Sequence, residues 1–112
     1  MTEETTEEEK TEEIEDFTSF SENILSGIAD LGWSKPMPVQ SRVIPLMRNN
    51  RDLIVQAVTG SGKTGAFGLP IVERIDPNLH AIQALVLAPT RELANQIAKE
   101  LKIMGHHLGL EA

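Results

Sequence analysis

Eight consecutive residues, Ala57-Val58-Thr59-Gly60-Ser61-Gly62-Lys63-Thr64, carry the clearest chemistry in the chain. They fit the phosphate-loop pattern at every position but the first, where Ala57 stands in place of glycine. The chemistry explains the spacing. Gly60 and Gly62 let the backbone curl with positive φ, so that N–H groups point inward at phosphate oxygens. A helix beginning near Lys63 adds the partial positive charge of its N-terminus. Lys63 can reach the β- and γ-phosphates, and the Thr64 hydroxyl can ligate Mg²⁺. The plainer alternative is a Gly/Ser turn with a solvated lysine. A strand before the loop and a helix after it argue against that alternative. The loop alone implies a nucleoside triphosphate with Mg²⁺. It does not separate a kinase from a GTPase, a transporter ATPase or a helicase.

The elements that must position this loop read as follows. Residues 53–58 are near-continuously apolar and predict a buried strand of parallel-sheet type. The helix after the loop contains Gly65, Gly68 and Pro70, which predict irregularity, and Asp76-Pro77-Asn78 ends it. Residues 84–88 predict a second buried strand. Thr90 caps a helix over 91–104, with Leu93, Ile97, Leu101 and Met104 on its core face. Strand, helix, strand, helix gives an α/β fold with parallel strands and a right-handed connection. Upstream, Ser21 caps a helix over 22–31, with Ile24, Leu25, Ile28 and Leu31 on one face and Gly32 as the stop. After a turn holding Pro36, Pro38 opens a second helix through about Met47, which Pro45 should kink or end early. Its apolar positions are Val39, Val43, Leu46 and Met47, and residues 48–52 form a polar turn.

Composition narrows the class. The 112 residues suggest at most one small domain. The absence of cysteine excludes a disulfide scaffold and a Cys-ligated zinc or iron–sulfur site. No apolar run approaches the roughly 18 residues of a membrane-spanning helix. The acidic start is the reverse of a targeting segment, so an intracellular, reducing compartment is the default. The net charge of −7 belongs to the first residues. Residues 1–16 hold eight Glu, one Asp and one Lys; residues 17–112 carry nine basic and eight acidic side chains. The acidic balance therefore says nothing against a nucleic-acid partner for the remainder. Residues 1–16 hold one apolar residue after Met1, namely Ile14, too little to offset ordering entropy. They read as a disordered acidic tail that aids solubility, or that competes with nucleic acid for a basic groove. Order is expected to begin near Phe17.

Three blocks together resemble a known family. Gly32-Trp33-Ser34-Lys35-Pro36-Met37-Pro38-Val39-Gln40 resembles the Q motif of the DEAD-box RNA helicases. The phosphate loop resembles theirs, in which an initial alanine is normal. Ala88-Pro89-Thr90-Arg91-Glu92-Leu93-Ala94-Asn95-Gln96-Ile97 resembles the family's motif Ia, which touches the RNA backbone. The blocks stand in the family's order over residues 17–97, closest in character to bacterial members. The resemblance implies a partial RecA-like domain: a tail over 1–16, a Q-motif helical segment over 17–47 and an incomplete ATP-binding domain over 48–112. It implies a cytoplasmic, ATP-dependent RNA helicase with ATP and Mg²⁺ as cofactors, RNA as partner and no membrane. The amide of Gln40 offers a donor and an acceptor together, which suits the N6/N7 edge of adenine and mismatches guanine. Phe17 or Phe20 would stack on the base, and Lys35 joins the nucleotide contacts. Lys63 and Thr64 serve catalysis, with Thr64 on the metal. Thr90 and Arg91 would meet RNA, although Arg91 can instead brace its loop through acidic neighbours. Taken singly, Gln40 is a polar helix residue and Thr90 a helix cap.

Two departures matter. Met37 stands where the family carries Thr or Ser, which removes a capping hydroxyl worth about 1 kcal/mol. The Asp-Glu-Ala-Asp block, the Ser-Ala-Thr block and a second RecA-like domain with its arginine finger are absent from these 112 residues. Glu73 and Asp76 lie too late on their helix to activate water. The chain therefore reads as an N-terminal part or truncated product that binds nucleotide without efficient hydrolysis, with exposed apolar faces and open sheet edges. The alternative is a non-catalytic nucleotide- or RNA-binding module; a DNA helicase is a weaker one. His106 and His107 read as surface residues, Trp33 as packing for its turn and the methionines as core fillers.

Overall fold

The computed structural model describes residues 12–112. Helix α1 spans Glu22–Asp30. Ser21 is extended and its Oγ accepts the Ile24 N–H at 3.4 Å, which starts the helix. Gly32, at φ +78°, lets the chain turn away after Leu31. Helix α2 spans Pro38–Arg48 and opens on its proline. Contrary to expectation, Pro45 neither ends it nor shortens it. Proline has no N–H, so the Ser41 carbonyl one turn earlier loses its helical donor. The Ile14 N–H supplies the missing bond at 3.1 Å. Ile14 is half-buried and packs on the main core. Contact thus begins three residues before Phe17, inside the segment read as tail. Residues 1–11 of that segment lie outside the described residues.

Helix α3 spans Lys63–Arg74, and α4 spans Arg91–Met104, followed by a 3₁₀ turn, His106–Leu108. Helix α3 is continuous through Gly65, Gly68 and Pro70, all three buried. The reason is packing, which overrides propensity here. A Cβ on Gly68 would lie 3.0 Å from both Leu101 Cδ2 and Met104 Sδ of α4, so glycine sets how closely the two helices approach. The helix stops at Arg74, just before the Asp76-Pro77-Asn78 turn. In α4, Thr90 Oγ1 accepts the Leu93 N–H at 3.1 Å. Ile97 and Met104 are buried and Leu101 is half-buried, but Leu93 is exposed. Packing on α1 and α3 begins one turn later than the periodicity suggested.

The core has two parts. Phe17, Phe20, Ile24, Ile28, Ile44, Leu69, Val72 and Met104 form the larger one. Val39, Val43 and Ala66 form the smaller one, against Leu53, Val55 and Ala57. Helix α2 lies between them, with Ile44 on one side and Val39 and Val43 on the other. A cavity of about 460 Å³ opens between α2, α3 and residues 51–55.

The two expected strands are not formed among the described residues. Residues 53–58 alternate: Leu53, Val55 and Ala57 rest half-buried on α2 and α3, while Ile54 and Val58 are 71% and 78% exposed. Leu85 and Leu87 are 80% and 85% exposed. A strand needs a ladder partner. Neither segment is part of a ladder among the described residues.

Candidate functional site

Helix α3 begins where the glycine-rich turn ends. Gly60 lies at φ +82° and Gly62, its N-cap, at φ +90°. Both values belong to the left-handed region that glycine enters freely. The Ser61 N–H donates to Val58 O at 3.2 Å, which closes the turn. The Ser61 Oγ is buried and has no hydrogen-bond partner. A buried hydroxyl without a partner is costly unless something else supplies one. Lys63 is exposed, and its Nζ donates to Ala57 O at 2.7 Å, folding the side chain across the mouth of its own loop. Thr64 follows it in the first turn of α3, half-buried. A curled turn, an orphaned hydroxyl, a lysine and a helix start therefore converge within four residues. That is a fit for phosphate oxygens.

Gln40 joins this loop to the upstream motif. It is 1% exposed. Its Oε1 accepts the Met37 N–H at 3.0 Å, and its Nε2 donates to Gly62 O at 3.1 Å. One side chain thus ties the start of α2 to the start of α3. The close approach depends on missing side chains: a Cβ on Gly65 would lie 2.5 Å from Gln40 Nε2 and 2.7 Å from the Trp33 ring. Trp33 is half-buried beside the glutamine. Sequence reasoning gave Trp33 a packing role but missed its place against the phosphate-loop helix. The absence of a side chain at Gly65 was the available signal.

Other expected site residues are placed elsewhere. Phe17 and Phe20 are each 4% exposed in the larger core, with ring centroids 6.2 Å apart. The Arg48 guanidinium lies over Phe20 at 4.4 Å and forms a two-bond pair with Glu73 at 2.9 and 3.1 Å. Neither ring lines the phosphate loop in this conformation. The same ion pair occupies Glu73, in the last turns of α3, well away from Lys63. Lys35 is exposed on the turn before α2. Thr90 and Arg91 are both exposed at the start of α4. His106 and His107 are exposed as expected, and His107 Nε2 lies 2.7 Å from Asp30 Oδ2, joining the 3₁₀ turn to α1. No group of acidic, histidine or cysteine side chains suited to a metal forms among the described residues. No described helix is long and apolar enough to cross a membrane.

A braced glycine-rich loop at the head of a helix, with a buried glutamine on its carbonyl, is an arrangement suited to holding phosphate oxygens. Comparison with known proteins narrows the reading. Residues 37–112 match the DEAD/DEAH box helicase family. The chain is 51% identical over 85 residues to the ATP-dependent RNA helicase DeaD of Escherichia coli K12, which covers 76% of the chain and 14% of the relative. It is 47% identical over 92 residues to the DEAD-box ATP-dependent RNA helicase CshA of Bacillus subtilis, covering 82% of the chain and 18% of the relative. Saccharomyces cerevisiae Dbp5 bound to RNA and ADP BeF3 superposes with a TM-score of 0.80 at 35% identity, over 86% of this chain and 26% of that one. The chain belongs to the DEAD/DEAH box helicase family, and it spans less than a fifth of the length of these curated relatives.

Proposed function

We propose that this chain binds ATP with Mg²⁺ at residues 57–64, and RNA at the start of α4, as the nucleotide-binding part of an ATP-dependent RNA helicase. The observation that carries the nucleotide is the loop itself: two left-handed glycines, the orphaned Ser61 Oγ and Lys63 at a helix start. Magnesium-bound ATP supplies the phosphoryl group whose transfer to water drives the helicase cycle. Lys63 exchanges its bond to the Ala57 carbonyl for phosphate oxygen, and Ser61 gains the partner it lacks. The Thr64 hydroxyl is the metal ligand of the motif. Gln40 reads the base. An amide has two N–H donors and two lone pairs on oxygen, so the bonds to Gly62 and Met37 leave one of each for adenine.

Arg91 is a cation at the positive end of a helix, an arrangement that favours an anion. Thr90 spends its oxygen on the cap and retains its hydroxyl proton for a phosphate. The RNA assignment draws support from the named activity of the relatives and from the RNA in the Dbp5 complex. No cluster of acidic or histidine side chains suited to a metal forms among the described residues, and the role given to these residues is to bind and orient. Water activation and an arginine finger belong to groups outside them, including a second RecA-like domain. Placement in the cytoplasm draws its support from the family alone.

Lys63→Ala in the full-length protein is expected to abolish RNA-stimulated ATP hydrolysis. Retained hydrolysis would overturn the loop assignment. Competition of ATP with GTP, with and without Gln40→Ala, tests the base. Equal binding of the two nucleotides by the unaltered protein would remove Gln40 from that role.

A further inference from the structure

We infer that Met37 is a modification site, at which oxidation of the thioether by a peroxide loosens the phosphate loop and weakens nucleotide binding. This rests on the nucleotide reading of residues 57–64. Met37 is the N-cap of α2, and its side chain lies across Gly62: a Cβ on that glycine would sit 2.9 Å from Met37 Sδ. Gly62 is therefore flanked on two sides, by Gln40 bonded to its carbonyl and by the Met37 sulfur in the space a side chain on Gly62 would take. The side chain is also open to reagent. Met37 is 40% exposed, whereas Met47 is half-buried and Met104 is fully buried. Among the described residues it is the methionine a small oxidant reaches first.

The chemistry of the change suits the place. One oxygen atom passes from the peroxide to sulfur. The O–O bond breaks, an S–O bond forms, sulfur loses two electrons, and hydrogen peroxide leaves as water. A soft apolar group becomes a strong hydrogen-bond acceptor. The contact with Gly62 offers that oxygen nothing. The first turn of α2 offers the N–H of Val39 and that of Gln40, on which the Met37 thioether, a weak acceptor, closes one half of a capping box. Met37 sulfoxide turns toward those donors and water, and the contact on one side of Gly62 is lost. The Met37 N–H also donates to Gln40 Oε1, so the disturbance reaches the base-reading amide directly.

The test uses the full-length protein and a fluorescent ADP analogue. Protein is titrated before and after graded hydrogen peroxide, and peptide mass spectrometry locates the added oxygen. Affinity is expected to fall by about threefold or more, which is roughly half of the 1.4 kcal/mol that a tenfold change represents. The fall should track the Met37 sulfoxide fraction and be reversed by a methionine sulfoxide reductase. Met37→Leu keeps the volume and removes the sulfur; Met37→Thr installs a capping hydroxyl. Both are expected to show an oxidised-to-untreated affinity ratio near unity. Full oxidation at Met37 with unchanged affinity overturns the proposal alone. So does an equal loss in either variant, or oxidation of the other methionines that spares Met37. Failure of the untreated protein to bind any nucleotide overturns the loop assignment, and this proposal with it.

Discussion

A glutamine amide has four hydrogen-bonding positions, and Gln40 spends two of them on the protein's own backbone. Its residue type and its place in the Q motif were legible in the sequence, and they pointed to adenine. Its second task was not, because the Gly62 carbonyl lies 22 residues away and only folding brings it near. Burial at 1% makes that task expensive to lose. Gln40→Ala strips the Met37 N–H and the Gly62 carbonyl of a partner at once, at a cost of about 1–3 kcal/mol per group left unsatisfied. The neighbouring Gly65 gives a cleaner probe. Gly65→Ala places a methyl 2.5 Å from Gln40 Nε2 and 2.7 Å from Trp33. Neither neighbour retreats freely, since the amide is tied to Gly62 and the indole packs on the core. The variant is expected to lose about 1–3 kcal/mol in denaturant unfolding. It should also shift the emission of Trp33, the one tryptophan of these 112 residues. Unchanged stability and emission would mean that the two motifs are not packed as described.

Helix boundaries were legible because their causes are local. Ser21 and Thr90 each cap with their own side chain, Pro38 sits at a first helical position, and Gly32 leaves in a left-handed turn. The two expected strands were read from composition and are not formed among the described residues, since a ladder is a property of two segments and one was read at a time. Pro45 failed as a stop signal for a related reason: the Ser41 carbonyl it leaves open is bonded by Ile14, 27 residues before Ser41 in a stretch whose charge hid it. Pro45→Ala tests that stitch. The new N–H can bond Ser41 O within α2, in competition with Ile14. Hydrogen exchange is expected to show protection at residue 45 and faster exchange at Ile14, with α2 intact. An Ile14 amide as protected as before would mean that the helix has no vacancy for it to fill. Thr90→Ala probes a cap with no such backup. It should cost about 1 kcal/mol and fray the first turn of α4, seen as faster exchange at Leu93.

At the scale of the whole molecule, the apolar surface is the outstanding feature. Ile54, Val58, Ile82, Leu85 and Leu87 are all more than two-thirds exposed, on segments that form no strand among the described residues. Unpaired edges flanked by large apolar side chains template association with other chains. The charge of −7 opposes this only weakly, because nine of the acidic groups lie in residues 1–16 and the remaining 96 residues are nearly neutral. All of these apolar side chains but Ile82 are expected inside a parallel sheet, where both faces are covered. Their substitution should therefore act with opposite sign in two contexts. In the 112-residue polypeptide by itself, Leu85→Lys with Leu87→Lys is expected to reduce self-association, measured by sedimentation at roughly 100 µM, a concentration at which such surfaces aggregate. In the full-length protein the same pair is expected to lower Tm, because each lysine must then be desolvated within the sheet. If the pair left the Tm of the full-length protein unchanged, residues 84–88 would be surface in both settings. The strand reading of that segment would then fall, along with the parallel sheet built on it.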